Sequence, residues 1–155
     1  MIGCAAVETQ PRAADLEMEK KLVGRWEEVP KVPPDSASGY WILKEDHTFE
    51  GCGKGLLKPG QTISFTVGGK WSVRNAVLIQ EVTKISVLKP IPPELSAKVS
   101  ALNPVPPQLR WSRESIVSLQ NGLLTIRDDE GKLDRYRQRA GKSVKTGGAH
   151  RNSAG

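Results

Sequence analysis

The sequence predicts an all-β fold, an antiparallel up-and-down meander of eight or nine strands closed into a barrel. Three observations carry that expectation. From Leu22 onward, runs rich in Val, Ile, Thr and aromatic residues are broken by Gly, Asn and Asp at roughly 8–12-residue intervals, the spacing of short strands joined by turns. Within the runs the side chains alternate: Ile63, Phe65 and Val67 share one face and Thr62, Ser64 and Thr66 the other, as in a strand with one dry side. The breaks Glu45-Asp46-His47-Thr48, Gly68-Gly69, Arg74-Asn75, Asn121-Gly122 and Asp128-Asp129-Glu130-Gly131 supply residues that tolerate the positive φ of tight hairpins. Local hairpins in series make a meander, and closure removes the two unpaired edges that an open meander exposes.

Residues 1–21 read as an N-terminal tether. Within it, an apolar residue followed by Gly3-Cys4-Ala5 resembles the end of a bacterial lipoprotein signal, although the charged and apolar stretches that precede such an end are not in the sequence. On that reading Cys4 carries a lipid, gives peripheral membrane attachment and places the protein at the cell envelope or in the periplasm. The other reading is a frayed terminus with an idle thiol.

Strands are expected at Leu22–Val29, Gly39–Glu45, Thr48–Gly51, Thr62–Val67, Lys70–Arg74, Val77–Thr83, Leu109–Leu119, Leu123–Arg127 and Lys132–Gln138. The run Gly51-Cys52-Gly53-Lys54-Gly55 has neither the length nor the following helix of a phosphate-binding loop and reads as a flexible hairpin or rim loop. In the long strand, Leu109, Trp111, Val117 and Leu119 share a parity with Arg113 and Ser115. A polar pair in the middle of an apolar face means either a contact with a ligand's polar end or a bulge that turns that face outward.

A Pro-rich insertion covers 84–108. Pro90-Ile91-Pro92-Pro93-Glu94-Leu95 and Pro104-Val105-Pro106-Pro107-Gln108-Leu109 are near copies 14 residues apart, and between them Leu95, Val99 and Leu102 share a helical face with Pro93 placed for the first turn. A short helix is expected there, packed on the barrel wall as a spacer or set over the mouth as a lid. The remainder, 140–155, is rich in Gly, Ala and Ser, has almost nothing apolar, and is expected to be a disordered basic tail.

At 155 residues the chain suits one domain, and no apolar run approaches the ~20 residues a membrane-spanning helix needs. The net charge of +6 belongs to one end: residues 1–131 balance at 16 Lys+Arg and 16 Asp+Glu, while residues 132–155 hold seven basic residues against Asp134. With a neutral strand region and no basic groove, no specific nucleic-acid binding is expected. Two cysteines and two histidines, Cys4, Cys52, His47 and His150, are too few and too scattered for a zinc site, so neither a metal nor a cofactor is expected. Glu27-Glu28 point to opposite faces of a strand and Asp128-Asp129-Glu130 occupy a turn, so no carboxylate pair suits acid–base chemistry, and no nucleophile has a base beside it. The chain is not expected to be an enzyme.

Several short motifs together resemble lipocalins and their bacterial lipocalin-like relatives. Gly24-Arg25-Trp26 is similar to the Gly-x-Trp of the first strand, Asp46-His47-Thr48-Phe49 stands where an Asp-Gly-Thr-Phe turn is frequent, Gly69-Lys70-Trp71 repeats Gly-x-Trp, and Tyr136-Arg137 ends the closing run. The resemblance spans Leu22 to Arg139. The usual middle-barrel Thr-Asp-Tyr motif is absent and the Pro-rich insertion is foreign to the pattern. The resemblance implies a barrel at 22–139 with Gly24 and Trp26 as the plug at its base and Arg137 or Arg139 packed over Trp26 in a cation–π contact. It also implies an interior that could hold one small apolar ligand, lined by Trp41, Phe65, Trp71, Ile79 and Trp111 with Arg113 as the polar contact. The expected role is non-catalytic binding by a monomer. The alternative is a barrel filled by its own side chains that meets a protein partner through the Pro-rich insertion and the basic end.

Overall fold

Eight strands form in the order of the sequence: β1 (Gly24–Glu28), β2 (Ser38–Leu43), β3 (Thr48–Lys58), β4 (Gln61–Arg74), β5 (Val77–Val87), β6 (Trp111–Gln120), β7 (Leu123–Arg127) and β8 (Leu133–Arg139). Each pairs antiparallel with the next, and β1 pairs with β8 to close the barrel. The closed antiparallel meander is the architecture expected from turn chemistry and alternation. The structure is a computed structural model that describes residues 11–30, 38–58, 61–88 and 91–139, without the side chains of 38, 55–58 and 61. Cys4 and the tail at 140–155 lie outside the described residues.

The turns are made by the residues whose chemistry predicts them. His47, Asn75, Asn121, Gly122 and Gly131 adopt positive φ as expected, and Ala76, which the turn chemistry does not single out, does so as well. At the β2–β3 turn, Asp46 Oδ1 accepts hydrogen bonds from Thr48 N at 2.9 Å and Thr48 Oγ1 at 2.6 Å, an Asx turn that starts β3.

Two expected breaks are instead strand interior. Gly68-Gly69 does not turn the chain. It sits beside a register shift within the single 14-residue strand β4, where a Cβ on Gly69 would collide with the carbonyl of Glu81, so glycine lets β5 cross closely at the bulge. Likewise the Gly51–Gly55 run is not a rim loop but part of β3. A Cβ on Gly51 would come within 2.9 Å of Val67 Cγ2, and one on Gly53 within 2.7 Å of Phe65 Cζ, so these glycines make room inside the barrel for their neighbours' side chains.

The expected tether corrects to a helix over much of its length, α1 (Ala13–Leu22). Its Ala, Leu, Met, Glu and Lys residues are strong helix formers. The face it buries, Asp15, Glu19 and Leu22, carries two carboxylates, which is why a search for apolar periodicity passes over it. These carboxylates clamp the helix across one end of the barrel. Asp15 accepts from the N–H groups of Asn75 at 3.0 Å and Ala76 at 3.1 Å, and Glu19 Oε1 from Val73 N–H at 2.9 Å. Glu19 Oε2 meets His47 Nε2 at 2.8 Å. Beneath the helix, Trp26 is fully buried and its indole N–H donates to the Leu22 carbonyl at 2.7 Å. In the insertion, Pro93–Leu95 form a 3₁₀ turn that runs into α2 (Ser96–Ser100), and the second Pro-rich copy opens α3 (Pro107–Arg110), which packs on β5 and β6.

Candidate functional site

Pairing register and the period of two assign a direction to every strand residue. The inward set divides along the barrel. Near α1, Leu22, Trp26, Leu43, Phe49, Trp71, Val73, Leu78, Leu124 and Ile126 pack into a core in which none exceeds 3% exposure. Toward the opposite end, the inward-facing Glu28, Trp41, Phe65, Val67, Ile85, Val87, Ser112, Glu114 and Asp134 are only partly buried. The barrel is therefore solid at its helix-capped base and reachable by solvent above it. Between the two zones the Trp41 and Tyr136 rings stack with centroids 4.7 Å apart at 29°, and Gln80 is 5% exposed.

The upper zone is acidic. Glu28 of β1 pairs with Tyr136, Glu114 of β6 pairs with Leu78, and Asp134 of β8 pairs with Ile126, which places all three carboxylates on the inner wall. The basic residues interleaved with them, Arg113, Arg127, Arg135, Arg137 and Arg139, have the opposite parity and are exposed. No Lys or Arg occupies an inward position among the described residues. Glu114 Oε2 is buried without a hydrogen-bond partner among the described residues. Burial, and then the charges of Asp134 and Asp128, push the Glu114 carboxyl up to about 7. Burial, helped by Glu114, Glu28 and Asp134, also pushes the Tyr136 hydroxyl far above its ordinary range, so this ring is a neutral phenol.

Of the residues expected to line a cavity, Trp41 and Phe65 lie in the upper zone, and Trp71 lies in the packed base with its indole N–H on the Lys44 carbonyl at 3.0 Å. Ile79, Trp111 and Arg113 are not interior. Ile79 pairs with Arg113 and Trp111 with Glu81 on the outer face, and Trp111 is 52% exposed. For Trp111 and Arg113 the cause is the bulge alternative: a register shift between Ile116 and Ser118 resets the alternation, so Ser112, Glu114 and Ile116 point inward before it and Leu119 rejoins the core after it. Glu114 is thus missed because its neighbours Trp111, Val117 and Leu119 make the wrong parity look apolar.

The plug is corrected in one member. Gly24 has φ +139° and a Cβ there would lie 2.8 Å from Gln138 Nε2, so glycine is required beside the buried Trp26. Arg137, however, pairs with Glu27 on the outer face and does not cover Trp26. Arg139 also points outward, its Nε 2.6 Å from Glu27 Oε2. The residue opposite Trp26 is Gln138, whose amide donates to the Val23 carbonyl at 3.2 Å. The cation–π contact lies elsewhere, with Arg25 3.9 Å from the centroid of the outward Tyr40 ring.

Two clefts of about 600 and 460 Å³ flank α1 and share Leu16, Glu19, His47 and Trp71. Among the described residues no group of three His, Cys, Asp or Glu side chains could hold a metal ion. No described helix is long and apolar enough to cross a membrane.

No protein-family model and no curated protein matches the chain. Among solved structures, a lipocalin-like protein from Bacteroides uniformis is similar over 77% of this chain and 99% of its own, at 16% sequence identity and a TM-score of 0.43.

Proposed function

We infer that the barrel is a non-catalytic binding protein that takes a small, largely apolar molecule into its upper zone. The observation behind this reading is the division of the interior, in which a base closed by α1 and Trp26 meets inward apolar residues, among them Phe65, Val67, Ile85 and Val87, that remain partly exposed. Partly exposed apolar surface inside a concave wall gains free energy when a ligand covers it. Gly51 and Gly53 support the same reading, since inward glycines keep that wall thin. The test is a titration with N-phenyl-1-naphthylamine, a neutral dye whose absorption overlaps tryptophan emission. Saturable energy transfer in the native protein, lost in Ile85→Trp, is expected. A folded native protein that gives no saturable signal overturns the reading.

The alternative role, a protein contact near the insertion, draws on one observation. Leu88, Leu109 and Trp111 flank that segment and are 44%, 47% and 52% exposed. Trp111→Arg would abolish such a contact and leave dye uptake unchanged.

A further inference from the structure

On the last three strands the fold sorts charge by side. Outward positions of β6, β7 and β8 hold Arg113, Arg127, Arg135, Arg137 and Arg139, all exposed, and none holds an acid, because Glu114 and Asp134 face inward. A charge total over the sequence hides this, since alternation puts neighbours of opposite charge on opposite sides of one sheet. Pairing register makes the five a stripe. Arg127 pairs with Ser115 on one side and Leu133 on the other, so Arg113, Arg127 and Arg135 are diagonal neighbours about 7–8 Å apart. Arg137 and Arg139 continue the stripe along β8 in steps of about 6.8 Å. Glu27 of β1 holds Arg139 at 2.6 Å and Arg25 at 3.3 Å, which offsets charge at that end only. Arg113, Arg127, Arg135 and Arg137 make no ion pair among the described residues. At the other end the β7–β8 turn carries Asp128, Asp129 and Glu130 beside Lys132, and Asp128 Oδ1 accepts from the N–H groups of Glu130 and Lys132. Like charges so spaced repel, and an anionic surface laid against them relieves the repulsion.

Apolar side chains share the same wall. Val117 of β6 is 46% exposed, and Leu133 of β8, the partner of Arg127, is 44% exposed. Arginines interleaved with exposed apolar groups suit a bilayer, whose surface offers phosphate with hydrocarbon just beneath. A guanidinium grips phosphate through two N–H groups at once and sheds water more readily than an ammonium. Nucleic acid suits this wall less well, since single strands bind along grooves lined with stacking rings, and the outside of a barrel is convex. Trp111, opposite Glu81 at the start of β6, is the one outward ring on these three strands among the described residues.

We propose that the outer wall of β6–β8 docks on an anionic phospholipid bilayer, with Arg113, Arg127, Arg135 and Arg137 on lipid phosphates and Val117 and Leu133 pressed into the headgroup layer. The docking is independent of what the barrel holds, because the residues involved lie on the opposite side of the sheet from the interior.

The experiment is co-sedimentation of the full chain with vesicles of phosphatidylcholine alone and with about one third phosphatidylglycerol. Binding to the mixed vesicles only, weakened by salt, is expected. Each arginine at an anionic surface adds about fivefold in affinity, so the double variant Arg127→Gln, Arg135→Gln should bind roughly twentyfold more weakly. Arg113→Gln with Arg137→Gln is a second pair expected to act alike, and melting curves check the fold of each variant. Lys54→Gln with Lys70→Gln removes the same charge from exposed positions of β3 and β4, across the barrel, and should change binding by less than about twofold. Val117→Ser with Leu133→Ser should weaken vesicle binding severalfold. Indifference to phosphatidylglycerol overturns the proposal, as do equal losses from the arginine and lysine pairs, which would mean that net charge alone acts. Vesicle binding unaffected at Val117 and Leu133 also overturns it. Arginine variants that lose binding to a DNA duplex while keeping vesicle binding overturn it in favour of nucleic acid.

Discussion

Glu114 has a consequence for stability that is independent of any ligand. Its carboxyl is raised to about 7 in the folded barrel by burial and by Asp134 and Asp128. The unfolded chain releases this proton near the ordinary value of 4.5. Between those values the unfolded state holds fewer protons, so stability falls as pH rises through the window and the penalty is complete above about 7. Glu114→Gln should match the native protein at pH 4 and exceed it at pH 8 in urea denaturation. Equal stabilities at pH 8 would contradict the burial of this charge. The residue also shows what a sequence conceals. Alternation is a local signal, and one extra residue between Ile116 and Ser118 exchanges inside for outside along β6. Trp26 and Gly24 are legible because each follows from one tight requirement, burial of an indole and a φ of +139°. The partner of Trp26 is not, since Arg137 and Gln138 differ by one position and so by the whole thickness of the wall.

Among the elements, α1 is the least legible and the most consequential for the base. Its binding face is polar: Asp15 and Glu19 act as acceptors for N–H groups at the β4–β5 turn and on Val73, about 54 to 61 residues further along the chain. Tertiary acceptors of this kind leave no periodic trace. His47 completes the clamp at φ 64°, with Nε2 on Glu19 and its ring 5.4 Å from that of Trp71. Glu19→Ala is therefore expected to cost about 1–3 kcal/mol, since it leaves the buried Val73 N–H without an acceptor. The loss should appear in chemical denaturation and as faster amide exchange at Val73. Unchanged exchange there would mean that the helix does not depend on this bond. The strands were the legible elements, because turn chemistry and alternation agree over most of their length. β4 is one strand where the sequence predicts two, because its glycines serve a close crossing and not a turn. The short helix expected between the two Pro-rich copies, where Leu95, Val99 and Leu102 share a face, is found at Ser96–Ser100 after a 3₁₀ turn at Pro93–Leu95.

At the scale of the whole molecule, two opposed titrations set the pH dependence. Asp15 is lowered chiefly by the Ala76 N–H, Glu27 by Arg139 and Asp46 by the Thr48 hydroxyl, so each contributes stability above the ordinary carboxylate range that is lost as pH falls through the folded value. Glu114 acts in the other direction from 4.5 to about 7. Stability should therefore peak in the mildly acidic range, at about pH 5, in melting curves recorded from pH 3 to 9. A plateau from pH 5 to 8 would show that Glu114 is not coupled to folding.

The closing pair β1–β8 has a kinetic consequence. Every other strand pairing joins neighbours in the chain, whereas Arg25 pairs with Arg139 and Glu28 with Tyr136 across more than 100 residues. Hairpins can form early at small entropic cost, but this seam closes the longest loop and must wait for the ends to meet. Until it does, β1 and β8 are raw edges, ready to add a strand from another molecule. Protein synthesis emits β1 first and β8 last, so this exposure lasts for most of translation, and misassembly between chains is a hazard concentrated at one seam.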